Sequence, residues 1–245
     1  QSFNNVDAIT IDDFKYTMNF SRSKKIILEE KIYRSEKYIS EVSAEAIFWN
    51  NKLKITNIVD RLFTGDIKKY ESLGLFDDLN LNEGVEIGHF NPSFIDEPVY
   101  LKIESLFWNI FKKLNSQLDL TSIKLDIMIN ERDEPIILEM TPRTSGGWDS
   151  CFSNIVVGGN MLKNLLNYIV DVYSAKEAFE VTYAFHEIKK RVFVLGVPEN
   201  NSPNCIGRNF YPSQALNKEV SIEKFFKDSV SRYKRGEKIE PVKII

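Results

Sequence analysis

The segment from Ile123 to Thr141 constrains this chain more than any other. Ile123, Leu125, Ile127 and Ile129 alternate with Lys124, Asp126, Met128 and Asn130. After a polar Glu131-Arg132-Asp133-Glu134 tip, Ile136, Leu138 and Met140 alternate with Ile137, Glu139 and Thr141. Period-two alternation on both sides of a short polar tip reads as a β-hairpin. A turn centred between Arg132 and Asp133 sets Asp126 directly opposite Glu139 on one face. Two like charges so placed are destabilising, unless a divalent cation gathers them. Converging hard oxygen ligands are what Mg²⁺ takes when it also carries nucleotide phosphates. The spacing alone suits equally well a solvent-exposed hairpin whose two acids tolerate each other.

The continuation Pro142-Arg143-Thr144-Ser145-Gly146-Gly147 adds a cation at the strand end and a Gly-Gly loop whose backbone N–H groups can approach an anion closely. This run resembles the metal-binding hairpin and following loop of the ATP-grasp superfamily, ligases that activate a carboxylate as an acyl phosphate. Ser40-Glu41-Val42-Ser43-Ala44-Glu45-Ala46-Ile47, then Asn50-Asn51-Lys52 and the stretch Ile55 to Leu62, is similar to that family's strand, turn and return strand. Lys25-Ile26-Ile27-Leu28-Glu29-Glu30-Lys31-Ile32 looks like its hinge strand. Gly84-Val85-Glu86-Ile87-Gly88-His89-Phe90-Asn91-Pro92-Ser93 is similar to a segment of the carboxylate–amine ligase branch, which includes the L-amino-acid ligases and their carbamoyl-phosphate-synthase-like relatives. The pieces run in family order from Asp7 to Tyr173.

The resemblance implies an α+β ATP-grasp fold, an antiparallel sheet with packed helices, of which this chain is the C-terminal portion. It implies ATP and Mg²⁺ as cofactors, with Asp126 and Glu139 as metal ligands. Adenine would lie at Glu30, Lys31 and Ile32, and the ribose at Glu41. Arg143 would stabilise the acyl phosphate, while Glu86 and His89 would handle the incoming amine. The reaction would join a small-molecule carboxylate to an amine in an ATP-dependent step that forms a C–N bond. A catalytically degenerate ATP-grasp module that senses nucleotide or acts as a scaffold is the rival reading. Thr141 departs from the Asn found there in many relatives, which leaves one or two metals open. The chain opens on Gln1-Ser2-Phe3-Asn4-Asn5 and enters a helix without the family's Gly-rich, Lys-bearing phosphate loop, so an N-terminal region of the same protein is the expected partner. In that helix Thr10 with Asp13 reads as a capping box, and Phe14 and Met18 share a face.

Composition excludes several classes. With 43% apolar and 27% charged residues the chain can build an ordinary globular core, and no apolar run reaches the roughly 18 to 20 residues that span a bilayer. A net charge of −3 argues against nucleic acid as the main partner. The basic run Lys224 to Lys238 reads as a solvated helix face and tail. Cys151 and Cys205 have no metal or redox spacing, which fits free thiols in a cytoplasmic, reducing compartment. Membrane is not an expected partner, and assembly as a homodimer is left open.

Three regions are expected: 1–33 as the rest of a small lobe with its hinge, 34–174 as a large lobe with the metal hairpin, and 175–245 as an appended subdomain. Tyr38 to Phe48 and Lys52 to Phe63 read as an antiparallel pair turning at Asn50-Asn51, where both residues tolerate positive φ. Pro98 to Leu114 repeats apolar residues at helical spacing. Asn160 reads as the cap of a second helix with Leu162, Leu165, Leu166, Ile169 and Val170 on one side. Val181 to Phe185 and Lys190 to Leu195 read as strands, and Ile222 to Tyr233 as a last helix. Thr64 to Leu81 is left unassigned. His186 reads as structural, and Trp148 as a wall of the acyl pocket or as packing.

Overall fold

Asn50 and Asn51, at φ 45° and 60°, fold strand β1 (Glu41–Trp49) back onto β2 (Lys52–Phe63). Both positive angles match a type I′ turn, whose twist suits a two-residue hairpin. The computed structural model describes residues 10–20, 23, 25, 30–38, 41–63, 86–114, 119–145, 149–198, 208–215 and 221–237. The chain divides into two compact units, Gln1–Tyr33 and Arg34–Ile245. In the first, helix α1 (Ile11–Phe20) is described, with Ile11, Phe14 and Tyr16 exposed. Glu30, Lys31 and Ile32 have no regular structure, and the rest of the expected hinge strand (26–29) lies outside the described residues.

The second unit is built on one antiparallel sheet of seven described strands, in the order β5-β4-β1-β2-β3-β6-β7. Its further strands are β3 (Glu86–Asn91), β4 (Thr121–Ile129), β5 (Pro135–Thr141), β6 (Arg191–Pro198) and β7 (Arg208–Ala215). The residues from 175 onward, expected as an appended subdomain, supply β6 and β7 to this same sheet through pairing of β6 with β3. Val181 to Phe185 is not a strand. Ser174, with a reciprocal Glu177, caps helix α4 (Ala175–Val181), and a 3₁₀ turn follows at Phe185–Glu187.

One face of the sheet is apolar and covered by two helices. Against Val42, Ala44, Ala46, Ile58, Ile123, Leu125 and Ile127 packs α2 (Glu97–Leu114) through Val99, Ile103, Phe107 and Phe111. Against Leu62, Phe90, Phe193 and Leu195 packs α5 (Ile222–Lys234) through Phe225, Phe226 and Val230. The strand alternation seen in the sequence is therefore real: each strand's buried set meets a helix stripe of matching period. Lys102 on α2 holds the tip of the β4–β5 hairpin, donating to Asp133 O at 2.9 Å and Glu134 Oε1 at 2.8 Å.

The opposite face carries α3 (Met161–Ile169), α4 and a π-helical turn, Asp149–Ser153, continuing into Asn154–Val156. Ile47, Met161 and Phe179 form an apolar cluster at one end, and Phe152, Val157, Ile188, Val192 and Val194 another at β6. Asn160 precedes α3 but makes no side-chain cap. Its amide instead donates to Val181 O at 2.8 Å and accepts from Tyr183 N at 2.9 Å, tying the start of α3 to the end of α4. Of the expected apolar stripe on α3, Leu166, Ile169 and Val170 are exposed, whereas Met161 and Asn164 are buried.

Candidate functional site

Between the two apolar clusters, this second face bears a polar stripe across four adjacent strands. In β1, Glu41, Ser43 and Glu45 point away from α2, because Val42, Ala44 and Ala46 fill the core on the other side. Register then selects their neighbours: Glu41 pairs with Arg61 on β2 and Met128 on β4, Ser43 with Asp126, and Glu45 with Asn57 and Lys124.

Asp126 and Glu139 are cross-strand partners, as the hairpin alternation implies, although the turn differs from the expected one. Near the tip the ladder runs Ile129↔Pro135 to Ile127↔Ile137, which centres the turn on Arg132. Asn130 closes it through Asn130 N to Glu134 O at 2.9 Å, with Asp133 at φ 56°. A register shift then leaves Leu138 without a partner, and the bulge brings Glu139 level with Asp126. Because β5 is an edge strand, Glu139 is exposed, as are Ile136, Ile137, Leu138 and Met140. The Thr141 hydroxyl donates to Glu139 Oε1 at 3.1 Å.

The pair does not stand as two bare, mutually repelling anions. Lys124 Nζ lies 2.7 Å from Asp126 Oδ2. Arg61 Nη1 lies 3.4 Å from Asp126 Oδ1. Arg61 lies in the Ile55 to Leu62 return strand with no site role expected of it, yet it is the hub of the stripe. Its Nη1 donates to Glu41 Oε2 at 3.0 Å, and its Nη2 and Nε donate to Glu86 Oε2 at 2.8 and 3.2 Å. Burial would lower the Arg61 pKa, but Glu86, Asp126 and Glu41 together raise it. The signal was an arginine near the end of a strand whose neighbours Val59 and Leu62 are fully buried. Such a charge is paired when buried.

Glu86 and His89 share the stripe's face because the β2–β3 register slips: Arg61 pairs with His89, Leu62 with Gly88 and Phe63 with Glu86, leaving Ile87 over. His89 is 4% exposed and lies between Arg61 and Val194. Gly88 is required by β6, since a Cβ there would stand 2.5 Å from Val194 O. Arg143 is exposed past the end of β5, and its Nη1 donates to Thr144 O at 2.9 Å. Gly146, Gly147 and Trp148 lie outside the described residues. Glu30, Lys31 and Ile32 belong to the first unit, where Lys31 Nζ sits 5.3 Å from the Tyr33 ring centroid.

Beside the stripe, a buried polar seam fixes the chain that follows Arg143. Glu45 has no exposed surface, and its Oε1 accepts from Ser145 N. Ser150 Oγ lies 3.1 Å from the same oxygen, while Asn57 Nδ2 donates to Oε2 at 3.0 Å. Asn154 reaches Asn57 at 3.3 Å, and Asn91 reaches Ser153 at 2.9 Å. Three adjacent strands thus each contribute one buried polar side chain to hold Ser145, Ser150, Ser153 and Asn154. In the sequence Glu45 is one polar residue of an alternating strand, with nothing nearby to mark this role.

The fit of a divalent cation rests on Asp126 Oδ1, which is buried without a hydrogen bond, 3.4 Å from Arg61 Nη1, on a residue paired in register with Glu139. Among the described residues no third His, Cys, Asp or Glu converges with another two. Two carboxylates suit Mg²⁺, which keeps waters and phosphate oxygens in its remaining positions.

Comparison with solved structures decides the fold. The ADP complex of PurK, an N5-carboxyaminoimidazole ribonucleotide synthetase, matches 94% of this chain and 57% of its own, at TM-score 0.59 and 12% identity. The chain has an ATP-grasp fold. A carboxyaminoimidazole ribonucleotide synthase from Aspergillus clavatus, complexed with ATP, matches 80% of this chain and 51% of its own (TM-score 0.46, 9% identity). The L-amino acid ligase from Bacillus licheniformis matches 66% and 36% (TM-score 0.46, 12% identity). The chain therefore spans between about a third and three fifths of these proteins' lengths. No protein-family model and no curated protein matches the sequence. Among the described residues, no helix is long and apolar enough to cross a membrane.

Proposed function

We propose that this chain carries the metal-holding part of an ATP-dependent carboxylate–amine ligase that works through an acyl phosphate. The observation that carries the reading is the in-register pair Asp126 and Glu139, with Asp126 Oδ1 buried and without a hydrogen bond, on a hairpin of an ATP-grasp fold. Asp126 and Glu139 would hold Mg²⁺, which when bound neutralises phosphate charge during phosphoryl transfer. Glu41 receives the ribose. Arg143 stabilises the acyl phosphate and then the oxyanion formed on amine attack. Glu86 and His89 serve the amine side, but Glu86 already accepts two bonds from Arg61, so it can hold an ammonium only by sharing. The partners are a small carboxylic acid, a small amine and further sequence of the same protein, in the cytoplasm. The test is carboxylate-dependent ADP release by the full-length protein, alongside Mg-nucleotide thermal shifts. Asp126→Asn and Glu139→Gln should each abolish both, and retention of both would remove the metal assignment.

The rival is a non-catalytic nucleotide-binding module. Compensation of Asp126 by Lys124 and Arg61 favours it, because a carboxylate so neutralised persists without a metal to justify it. Nucleotide binding with no carboxylate-dependent ADP release would establish that reading.

A further inference from the structure

We propose that Lys124 and Arg61 are internal counter-cations that close the Asp126 metal site until a nucleotide arrives. This rests on the metal-site reading above and adds what controls it. Lys124 precedes Asp126 by two residues on β4, so both side chains leave the same face of the strand. The Lys124 and Asp126 side chains are 12% and 9% exposed, and the Nζ to Oδ2 distance is 2.7 Å. Arg61 Nη1 takes the other side of the carboxylate, 3.4 Å from Oδ1. Each Asp126 oxygen thus has a cation of the protein's own beside it.

A divalent cation taken up by Asp126 would share that carboxylate with the Lys124 ammonium, which lies 2.7 Å from Oδ2. Between two cations on one carboxylate in a half-buried site the repulsion is large. The bare metal must therefore drive Lys124 off a carboxylate with no anion to receive it. A nucleotide changes this balance, because its phosphates compensate the metal and offer Lys124 a new partner. Ser43 Oγ, on the residue paired with Asp126, is buried without a hydrogen-bond partner and can donate to the carboxylate once Lys124 withdraws. Glu139, exposed on the edge strand, leaves its side of the site open to solvent.

The experiment is a titration of Mn²⁺ alone, followed by electron paramagnetic resonance of the free ion, on this chain and on Lys124→Met. The titration is repeated with a non-hydrolysable ATP analogue. Lys124→Met should bind Mn²⁺ in the absence of nucleotide at least about tenfold more tightly than the unsubstituted chain. Adding Glu139→Gln to Lys124→Met should remove that gain. Lys124→Gln repeats the test with a polar side chain should the methionine variant fold poorly. Equal Mn²⁺ affinity in the two chains, with analogue-dependent binding that Asp126→Asn abolishes, would overturn the counter-cation role and leave the metal site standing. Absence of Mn²⁺ binding in every chain, with and without the analogue, would overturn both.

Discussion

Asp126 stands opposite Glu139 because Leu138 is left out of the β4–β5 ladder. The two carboxylates nevertheless differ in kind. Asp126 is enclosed and compensated by Lys124 and Arg61, while Glu139 is exposed with a Thr141 hydroxyl beside it. Their substitutions should therefore separate.

In the absence of metal and nucleotide, Asp126→Asn should destabilise the protein by about 1–3 kcal/mol, since it strips Lys124 and Arg61 of a shared buried anion. Glu139→Gln should stay within about 0.5 kcal/mol, as exposed changes do. Urea denaturation midpoints at constant m-value decide it. Were repulsion between the two carboxylates to outweigh their compensation, both variants would instead gain stability.

Arg61→Met should cost about 2–3 kcal/mol, because Glu41, Glu86 and Asp126 would then face one another without their common cation. Arg61→Lys should cost less, and Glu86→Gln added to Arg61→Met should recover part of the loss. A double variant as unstable as the sum of its singles would show that Arg61 and Glu86 act independently.

Asp60 gives a pH signature. Burial pushes its carboxyl up to about 6, against hydrogen bonds from Ser93 and Phe94 N and the nearby Arg191 that pull it down. A folded pKa above the unfolded one means that folding favours the protonated form. Its contribution is full below about pH 4 and is lost as pH rises through about 6, a span worth roughly 3 kcal/mol. Asp60→Asn should remove this pH dependence, so the variant should gain stability relative to the parent between about pH 4 and 6.5. Parallel pH–stability curves would show that the carboxyl titrates normally.

Glu45→Ala should loosen the chain after Arg143 more than the sheet. Removing the acceptor of Ser145 N and Asn57 Nδ2 leaves buried donors unpaired at about 2–3 kcal/mol. Amide exchange across residues 145–157 should then quicken roughly 30- to 100-fold, while β1 and β4 keep their protection. Uniform acceleration across the sheet would mean that Glu45 supports the whole core.

By itself, the sequence determined the local elements and their faces. The Asn50-Asn51 turn, both hairpins, α2 and α5 follow from turn chemistry and from periods of 2 and 3.6 that a buried face imposes. The Asp126–Glu139 pairing was expected from a turn between Arg132 and Asp133, but it arises from a turn centred on Arg132 together with a bulge at Leu138. Tertiary structure decided what those faces meet. Strand order is a non-local choice, so nothing near Arg61 announced that β3 and β4 would deliver Glu86 and Asp126 to it. Nor did residues 191–198 announce that they would extend the same sheet beyond β3. The same holds for Glu45 and Asn160: local pattern places a polar side chain on a face, but its partner comes from a segment about a hundred residues away in the first case and about twenty in the second. Alternation laid out the carboxylates and set Lys124 beside Asp126 on β4, while sheet order brought Arg61 from β2 to the same carboxylate.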